Sequence, residues 1–553
     1  MRRLAILVMA LLPLAIIAIR AARGVSAASE IFTDTTAQAG IHWRHFNGES
    51  GERYLVEAMG GGVAFLDFDH DGLPDLFFVT GGETPKSKST EPPLNALYRN
   101  LGDGKFEDVT AKAGIGPMPF YGMGVAAGDF DNDGYPDLFI TGYPRSVLLH
   151  NNGNGTFTDI TEKAGVTNSR KWAASAAWLD YDRDGLLDLF VCNYAKFSYE
   201  NPQRCEYQGI RTYCAQTAYE GDVPTLYHNN GNGTFTDVTA KAGLAKLAGR
   251  ALGVVSIDVD DDGWPDLFVA RDASPNLLLI NKRNGTFEDA ALDAEVALSP
   301  EGLARAGMGV DAGDVNGDGQ PDFIVTNFND EQHSLFLNTG QFPYREWTRE
   351  SGIARLTRYF VGWGAHFIDY DNDGNLDLVL VNGHLNPVIE KTRLDVLYHE
   401  PPLLLSNDGL GVFRSVSEIA GPVFRERHLG RGLAVGDYDN DGGVDVVFTR
   451  LNDTPILLHN NVGHEKAWIG IELEGTKSNR DAIGAKLVLS SPRRRLVRWI
   501  TGGASYLSSH DRRVVFGLGD VPARAVRLEI RWPNGKEQTV TGLKLNQYQK
   551  IVE

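Results

Sequence analysis

Residues 129–137 read DFDNDGYPD, which sets Asp129, Asp131, Asp133 and Asp137 within nine positions of one another. Carboxylates held this close repel, so a folded chain keeps them together only where something positive lies between them. Alternate residues of a tight turn project into one small space, as in the first half of an EF-hand loop, and Gly134 at the sixth position suits the backbone reversal. The pattern D-x-D-x-D-G-x-x-D offers oxygens from positions one, three, five and nine, with a backbone carbonyl near position seven. That donor set suits calcium, which takes roughly six to eight oxygens at flexible angles; magnesium, which dehydrates reluctantly, fits less well.

One copy could equally be a solvated turn, because Asp-Gly is a common turn dipeptide. The pattern, however, occurs seven times. Besides the copy at Asp129, the carboxylates are Asp67, Asp69, Asp71 and Asp75 in DFDHDGLPD, Asp180, Asp182, Asp184 and Asp188 in DYDRDGLLD, and Asp258, Asp260, Asp262 and Asp266 in DVDDDGWPD. Then come Asp314, Asn316, Asp318 and Asp322 in DVNGDGQPD, Asp369, Asp371, Asp373 and Asp377 in DYDNDGNLD, and Asp437, Asp439, Asp441 and Asp445 in DYDNDGGVD. These are the expected metal ligands, for about seven calcium ions. The fifth copy, with neutral Asn316 at a ligand position, is expected to bind most weakly.

Successive copies start 62, 51, 78, 56, 55 and 68 residues apart, a spacing that points to repeat architectures. Each lies between two short apolar runs, as in GVAFLDFDHDGLPDLFFV at 62–79, and so reads as strand, turn, strand. A second hairpin follows in LYRNLGDGKFEDVTAKAGI from Leu97, LLHNNGNGTFTDITEKAGV from Leu148, LYHNNGNGTFTDVTAKAGL from Leu226 and LLINKRNGTFEDAALDAEV from Leu278. Four antiparallel strands per unit, with no helical periodicity between units, predict an all-β fold: a seven-bladed β-propeller with calcium-binding hairpin loops, followed by a small β-rich C-terminal domain. After the seventh copy the chain runs ILLHNN and loses the pattern; the missing piece stands at Glu30 to Ile41 as EIFTDTTAQAGI. That segment is expected to complete the last blade, leaving no open edge.

The predicted layout is a signal peptide at 1–27, the propeller at 28–462 and the second domain at 463–553. The leader has two arginines, an apolar run from Leu4 to Ile19 and small residues up to Ala27. An uncleaved anchor is the rival reading, although the run is short for a span and is flanked by Arg20 and Arg23. Either way the bulk of the chain is expected outside the cytoplasm, secreted, periplasmic or at the cell surface, with no span in the mature part. Net charge is −19, and the leader's four arginines leave −23 for the rest. Residues 463–553 hold sixteen Lys/Arg against nine Asp/Glu, so the ring segment carries about −30. So acidic a body argues against nucleic acid as a partner. Of three cysteines, Cys205 and Cys214 are near enough in sequence for a local disulfide, within the longest spacing between copies, and Cys192 reads as a buried strand thiol.

The D-x-D-x-D-G-x-x-D hairpins resemble the FG-GAP or VCBS repeats of integrin α-subunit propellers. NRDAIGAKLVL from Asn479, GGASYLSSHDRRVVFGLGD from Gly502 and LEIRWPNGKEQTV from Leu528 resemble the ASPIC/UnbV domain, and the pairing is similar to the cartilage acidic protein family. The resemblance implies calcium in the loops and an exported protein of matrix or adhesive type. The basic run PRRRLVR at Pro492 to Arg498 reads either as a surface that docks on the acidic ring or an anionic polysaccharide, or as a charged strand edge. For chemistry, His384 in NGHLNP and His428 with Arg431 in RHLGRG are the residues to consider, as loops over a propeller channel can host catalysis. Such residues more often brace loops. No Ser-His-Asp set, paired catalytic carboxylates or phosphate loop stands out. The expected function is a binding module for a protein or glycan; the alternative is an extracytoplasmic enzyme with a site at the channel mouth.

Overall fold

The computed structural model describes residues 30–89, 93–492, 494–519 and 526–553. The leader expected at 1–27 lies outside the described residues. Among those described, no helix is long and apolar enough to cross a membrane.

Seven sheets each contain four antiparallel strands, in chain order in six of them, and in each the motif forms the turn between the first strand and the second. The first strands are Val63–Leu66, Tyr121–Gly128, Ala173–Leu179, Ala251–Ile257, Val310–Gly313, Gly362–Ile368 and Gly430–Gly436. Each touches the first strand of the sheets before and after it, and the last touches the first. Convergence on one axis explains their composition. YGMGVAAG, AASAAWL and GRGLAVG are buried along their whole lengths and are rich in small residues. A Cβ at Gly62 would lie 2.3 Å from the Leu507 carbonyl oxygen.

The seventh sheet takes its fourth strand from the other end of the chain. Phe32–Asp34 pairs with Ile456–Asn460 in the register Phe32 to Asn460, Thr33 to His459 and Asp34 to Leu458. Ile31 and Phe32 thereby join the apolar cluster of Val446, Phe448 and Leu458.

Beyond Asn460, two further sheets follow. One orders Val514–Gly519, Ala467–Glu474 and Tyr548–Val552; the other orders Arg495–Trp499, Lys486–Ser490, Arg527–Arg531 and Glu537–Thr541. Their core, including Ile469, Leu487, Phe516 and Leu528, is continuous with Phe130, Phe139 and Trp178 of the ring. The chain between these sheets enters the middle of the ring. Gly503 pairs with Val255 and Ser505 with Val310, while Ser509 exchanges hydrogen bonds with the strand Val63–Leu66. Val125 N–H donates to Leu507 O, Leu507 N–H to Ser175 Oγ, Ala365 N–H to Ser505 Oγ and Asp511 N–H to Val435 O. The stretch 502–511 therefore bonds to the first strand of all seven sheets. Tyr506, buried against Trp363, donates to the Met59 carbonyl at 2.8 Å, where the turn Leu55–Ala58 comes in from the other face.

Candidate metal centres

The seven loops share one internal geometry. The glycine at position six has φ between +85° and +98°, a region an L side chain rarely enters. Its N–H donates to Oδ2 of the position-one aspartate at 2.8–3.0 Å in every loop. The N–H of position seven donates to Oδ1 of the position-five aspartate at 2.7–3.1 Å. These bonds turn the carboxylates of positions one and five inward. In the first two loops the oxygens of positions one, three and five approach within 4.8 Å of one another.

Position nine does something the sequence reading did not foresee. Each of these aspartates opens a second strand and is almost fully buried, between 0% and 2% exposed. Its Oδ1 accepts the N–H of the asparagine closing the third strand, namely Asn100, Asn151, Asn229, Asn281, Asn338, Asn407 and Asn460, at 2.7–2.8 Å. The Nδ2 of the same asparagine donates to the carbonyl of motif position two in a neighbouring sheet: Tyr438, Phe68, Phe130, Tyr181, Val259, Val315 and Tyr370 in that order. A ladder of identical links thus runs round the ring. Its sequence signal was the asparagine in RN, HN, HN, IN, LN, SN and HN, visible when the repeats are aligned.

The donor set fits a dication. Asp69 Oδ1, Asp182 Oδ1, Asp369 Oδ1 and Asp377 Oδ2 are buried with no hydrogen-bond partner, a costly state for a carboxylate oxygen. Burial pushes the metal-free carboxyls up, Asp75 to about 9, Asp180 to about 8 and Asp369 to about 7. At Asp129, pushed up to about 8, burial is the main cause and neighbouring Asp481 adds to it. In the fifth loop the Asn316 amide donates to Asp318 Oδ2 at 3.0 Å, so this residue is partly committed within its own turn.

Side-chain cations and tail residues treat the loops unequally. Arg99 bonds Asp69 and Asp71 in the first loop. The tail lies over the loops: Arg531 pairs with Asp258 and Asp261, Lys486 with Asp261 at 2.9 Å, and Lys466 with Asp371 at 3.0 Å. Tyr548 Oη donates to Asp437 Oδ2 at 2.8 Å, and Asp481 Oδ2 accepts the Asp129 N–H at 2.8 Å. From the run PRRRLVR, Arg494 donates to Asp373 O and Arg498 to Gly374 O. The strand Arg495–Trp499 is also the edge of its sheet, so the run is a charged strand edge that touches the acidic ring. Three loops also carry an imidazole missed from the sequence: His150, His228 and His459 face Asp137, Asp188 and Asp445 at 3.0, 3.2 and 3.3 Å.

The residues considered for catalysis are held by backbone. Arg431, fully buried, donates from Nε to Ala58 O at 2.7 Å and from Nη1 to Gly430 O at 2.7 Å and Gly383 O at 3.1 Å, with its guanidinium 4.1 Å from the Trp363 ring centre. His384 Nδ1 accepts the Asn386 N–H, and burial, then Arg431, holds the ring at about 3. His428 lies 3.3 Å from Val423 O, and burial, then Arg450, holds it at about 4. Cys205 and Cys214 form a disulfide across the hairpin Cys205–Tyr207 and Ile210–Thr212, while Cys192 is buried in the strand Asp188–Asn193.

Comparison with known proteins agrees with this geometry. The FG-GAP-like repeat model matches residues 67–140, 129–191, 213–269, 258–325 and 314–380, and the ASPIC and UnbV model matches 475–553. Cartilage acidic protein 1 of Xenopus tropicalis is 27% identical over 507 residues, covering 86% of this chain and 70% of that protein. The Homo sapiens protein of the same name is 25% identical over 515 residues, covering 86% and 69%. Among solved structures, the BP39L lectin of Burkholderia pseudomallei aligns over 72% of this chain and 98% of its own at 11% identity and a TM-score of 0.42. From its repeats and its tail together, the chain belongs to the family that joins FG-GAP-like repeats to an ASPIC and UnbV domain.

Proposed function

We propose that this is an exported seven-bladed propeller, stapled by calcium in its hairpin loops, that serves as a binding module for a protein or glycan. The observation that carries the reading is the position of the loops. The tail lies over them, with Arg531 reaching the fourth loop, Lys466 and Arg494 the sixth and Tyr548 the seventh. Ions there are structural, because the space that a ligand would need is filled by the chain itself. Recognition then falls to the opposite face, where three inserted segments meet: Arg211 donates to Glu52 O at 2.7 Å and Thr212 to Asn386 Oδ1 at 2.8 Å. A cavity of about 380 Å³ opens between them, lined by Arg44, Asn47, Tyr213, Tyr398, His399 and Asn452. Aromatic faces among planar polar groups suit a sugar or a peptide side chain.

The calcium half of this reading is tested by metal counting and thermal unfolding of the mature chain before and after chelation, with calcium or magnesium returned. About seven bound calcium ions, and a melting temperature that collapses on removal and recovers with calcium, are expected. Unfolding that ignores the chelator would sink the reading.

A further inference from the structure

The third-strand residue before the linking asparagine is Arg99, His150, His228, Ile280, Leu337, Ser406 and His459 in turn. Three loops therefore differ in kind from the other four. His150 Nδ1 stands 3.0 Å from Asp137 Oδ1 and 3.6 Å from Asp131 Oδ2. His228 Nδ1 stands 3.2 Å from Asp188 Oδ1 and 3.4 Å from Asp182 Oδ2, and His459 Nδ1 stands 3.3 Å from Asp445 Oδ1 and 3.4 Å from Asp439 Oδ2. The three donor atoms of each triad lie within 4.8 Å of one another.

Those spacings have a chemical meaning. An ion with bonds of about 2.0–2.2 Å holds neighbouring donors about 2.8–3.6 Å apart in octahedral or tetrahedral geometry. The nitrogen-to-oxygen separations fall within that window in all three loops. The imidazoles pair with the same carboxylates, His150 Nδ1 being hydrogen-bonded to Asp137 Oδ1 at 3.0 Å, while Asp182 Oδ1 is buried with no hydrogen-bond partner. In the second loop the set is also distinct from the all-oxygen one. Asp131 belongs both to the group with Asp129 and Asp133 and to the group with Asp137 and His150, as a carboxylate between two cation positions would. Imidazole is a poor ligand for calcium, which selects hard oxygens, and a good one for zinc and its neighbours.

We propose that the second, third and seventh loops each bind a transition-metal dication of the zinc class through the histidine Nδ1 and the carboxylates of motif positions three and nine. The four loops whose third strand offers no imidazole take calcium alone. This rests on the calcium reading only in that Asp131, Asp182 and Asp439 are shared between the two kinds of site.

The test uses the full mature chain, stripped of metal, saturated with millimolar calcium and then titrated with zinc, with both metals counted after desalting. About three zinc ions are expected to stay bound. A variant carrying His150→Gln, His228→Gln and His459→Gln should bind zinc at least 100-fold more weakly while keeping the calcium count at positions one, three and five. Each single substitution should remove one zinc, which keeps the test open should the triple variant not fold. Equal zinc binding by the wild type and the triple variant overturns the proposal. So does a wild type that keeps no zinc while the triple variant loses calcium affinity, because the imidazoles would then only orient carboxylates for calcium. A wild type that holds three zinc ions but no calcium would refute the calcium reading and leave this one standing.

Discussion

Asn151 joins two sheets with one residue: its N–H reaches Asp137 and its Nδ2 reaches Phe68 O. Asn151→Ala leaves the Phe68 carbonyl without this donor inside the ring, which costs about 1–3 kcal/mol. The expected outcome is a fall in melting temperature of a few degrees in saturating calcium, with the number of bound ions unchanged. An equal loss of ions would mean that the asparagine serves the loop rather than the link. The seven tight turns were legible in the sequence because their geometry is local, with every position-one carboxylate meeting the N–H five residues on. The asparagine ladder was hidden because its other end lies in a different repeat, 83 residues away for Asn151 and 338 for Asn100. The same holds for Arg431, whose short-range sequence context gives no sign that its guanidinium would meet Ala58 O, 373 residues distant.

At the scale of the element, the hairpins were readable because alternation and turn chemistry act over ten residues or so. The closing strand Phe32–Asp34 was readable for a different reason: a repeat that breaks off at one end and resumes at the other reveals its own phase. The stretch 502–511, GGASYLSSHD, has neither alternation nor turn signal that would place it in the ring. Beyond the short strand Gly502–Gly503 its path is irregular, with Ala504, Ser505 and Leu507 at positive φ, and it is held by the seven strands around it, so nothing in its own residues announces it. The hairpin pinned by Cys205 and Cys214 is the opposite case, a small element that meets other segments through Arg211 on Glu52 O and Thr212 on Asn386. Its cysteines are nine residues apart, a loop for which the entropy model gives about 2–3 kcal/mol. Cys205→Ser should therefore act locally: faster tryptic cleavage after Arg204 and Arg211, with little change in global melting. A global collapse would show that the hairpin supports the ring rather than decorates it.

For the whole molecule, the balance of charge sets how stability responds to pH. Buried carboxyls such as Asp75, Asp137 and Asp369 have metal-free values of about 9, 7 and 7, against about 3.9 in the unfolded chain. Between these limits the folded state holds more protons on these groups than the unfolded one, so their contribution to stability is fully present below about pH 4 and is lost as pH rises through 7 to 9. Metal-stripped protein should melt higher at pH 5 than at pH 8. Calcium, by holding the same groups ionised, should flatten or reverse that slope, and parallel curves with and without calcium would contradict the account. The pairing of Phe32–Asp34 with Ile456–Asn460 also sets a timetable for biosynthesis. The strand made first must wait for a partner 428 residues later, read from the register of Phe32 with Asn460, which is roughly 20–90 s at a translation rate of about 5–20 residues per second. The segment 502–511, which bonds to every sheet, is made later still. Throughout that interval the strand Phe32–Asp34 has an unmatched edge, so a chaperone that holds such edges should delay, and not hasten, the first compact state.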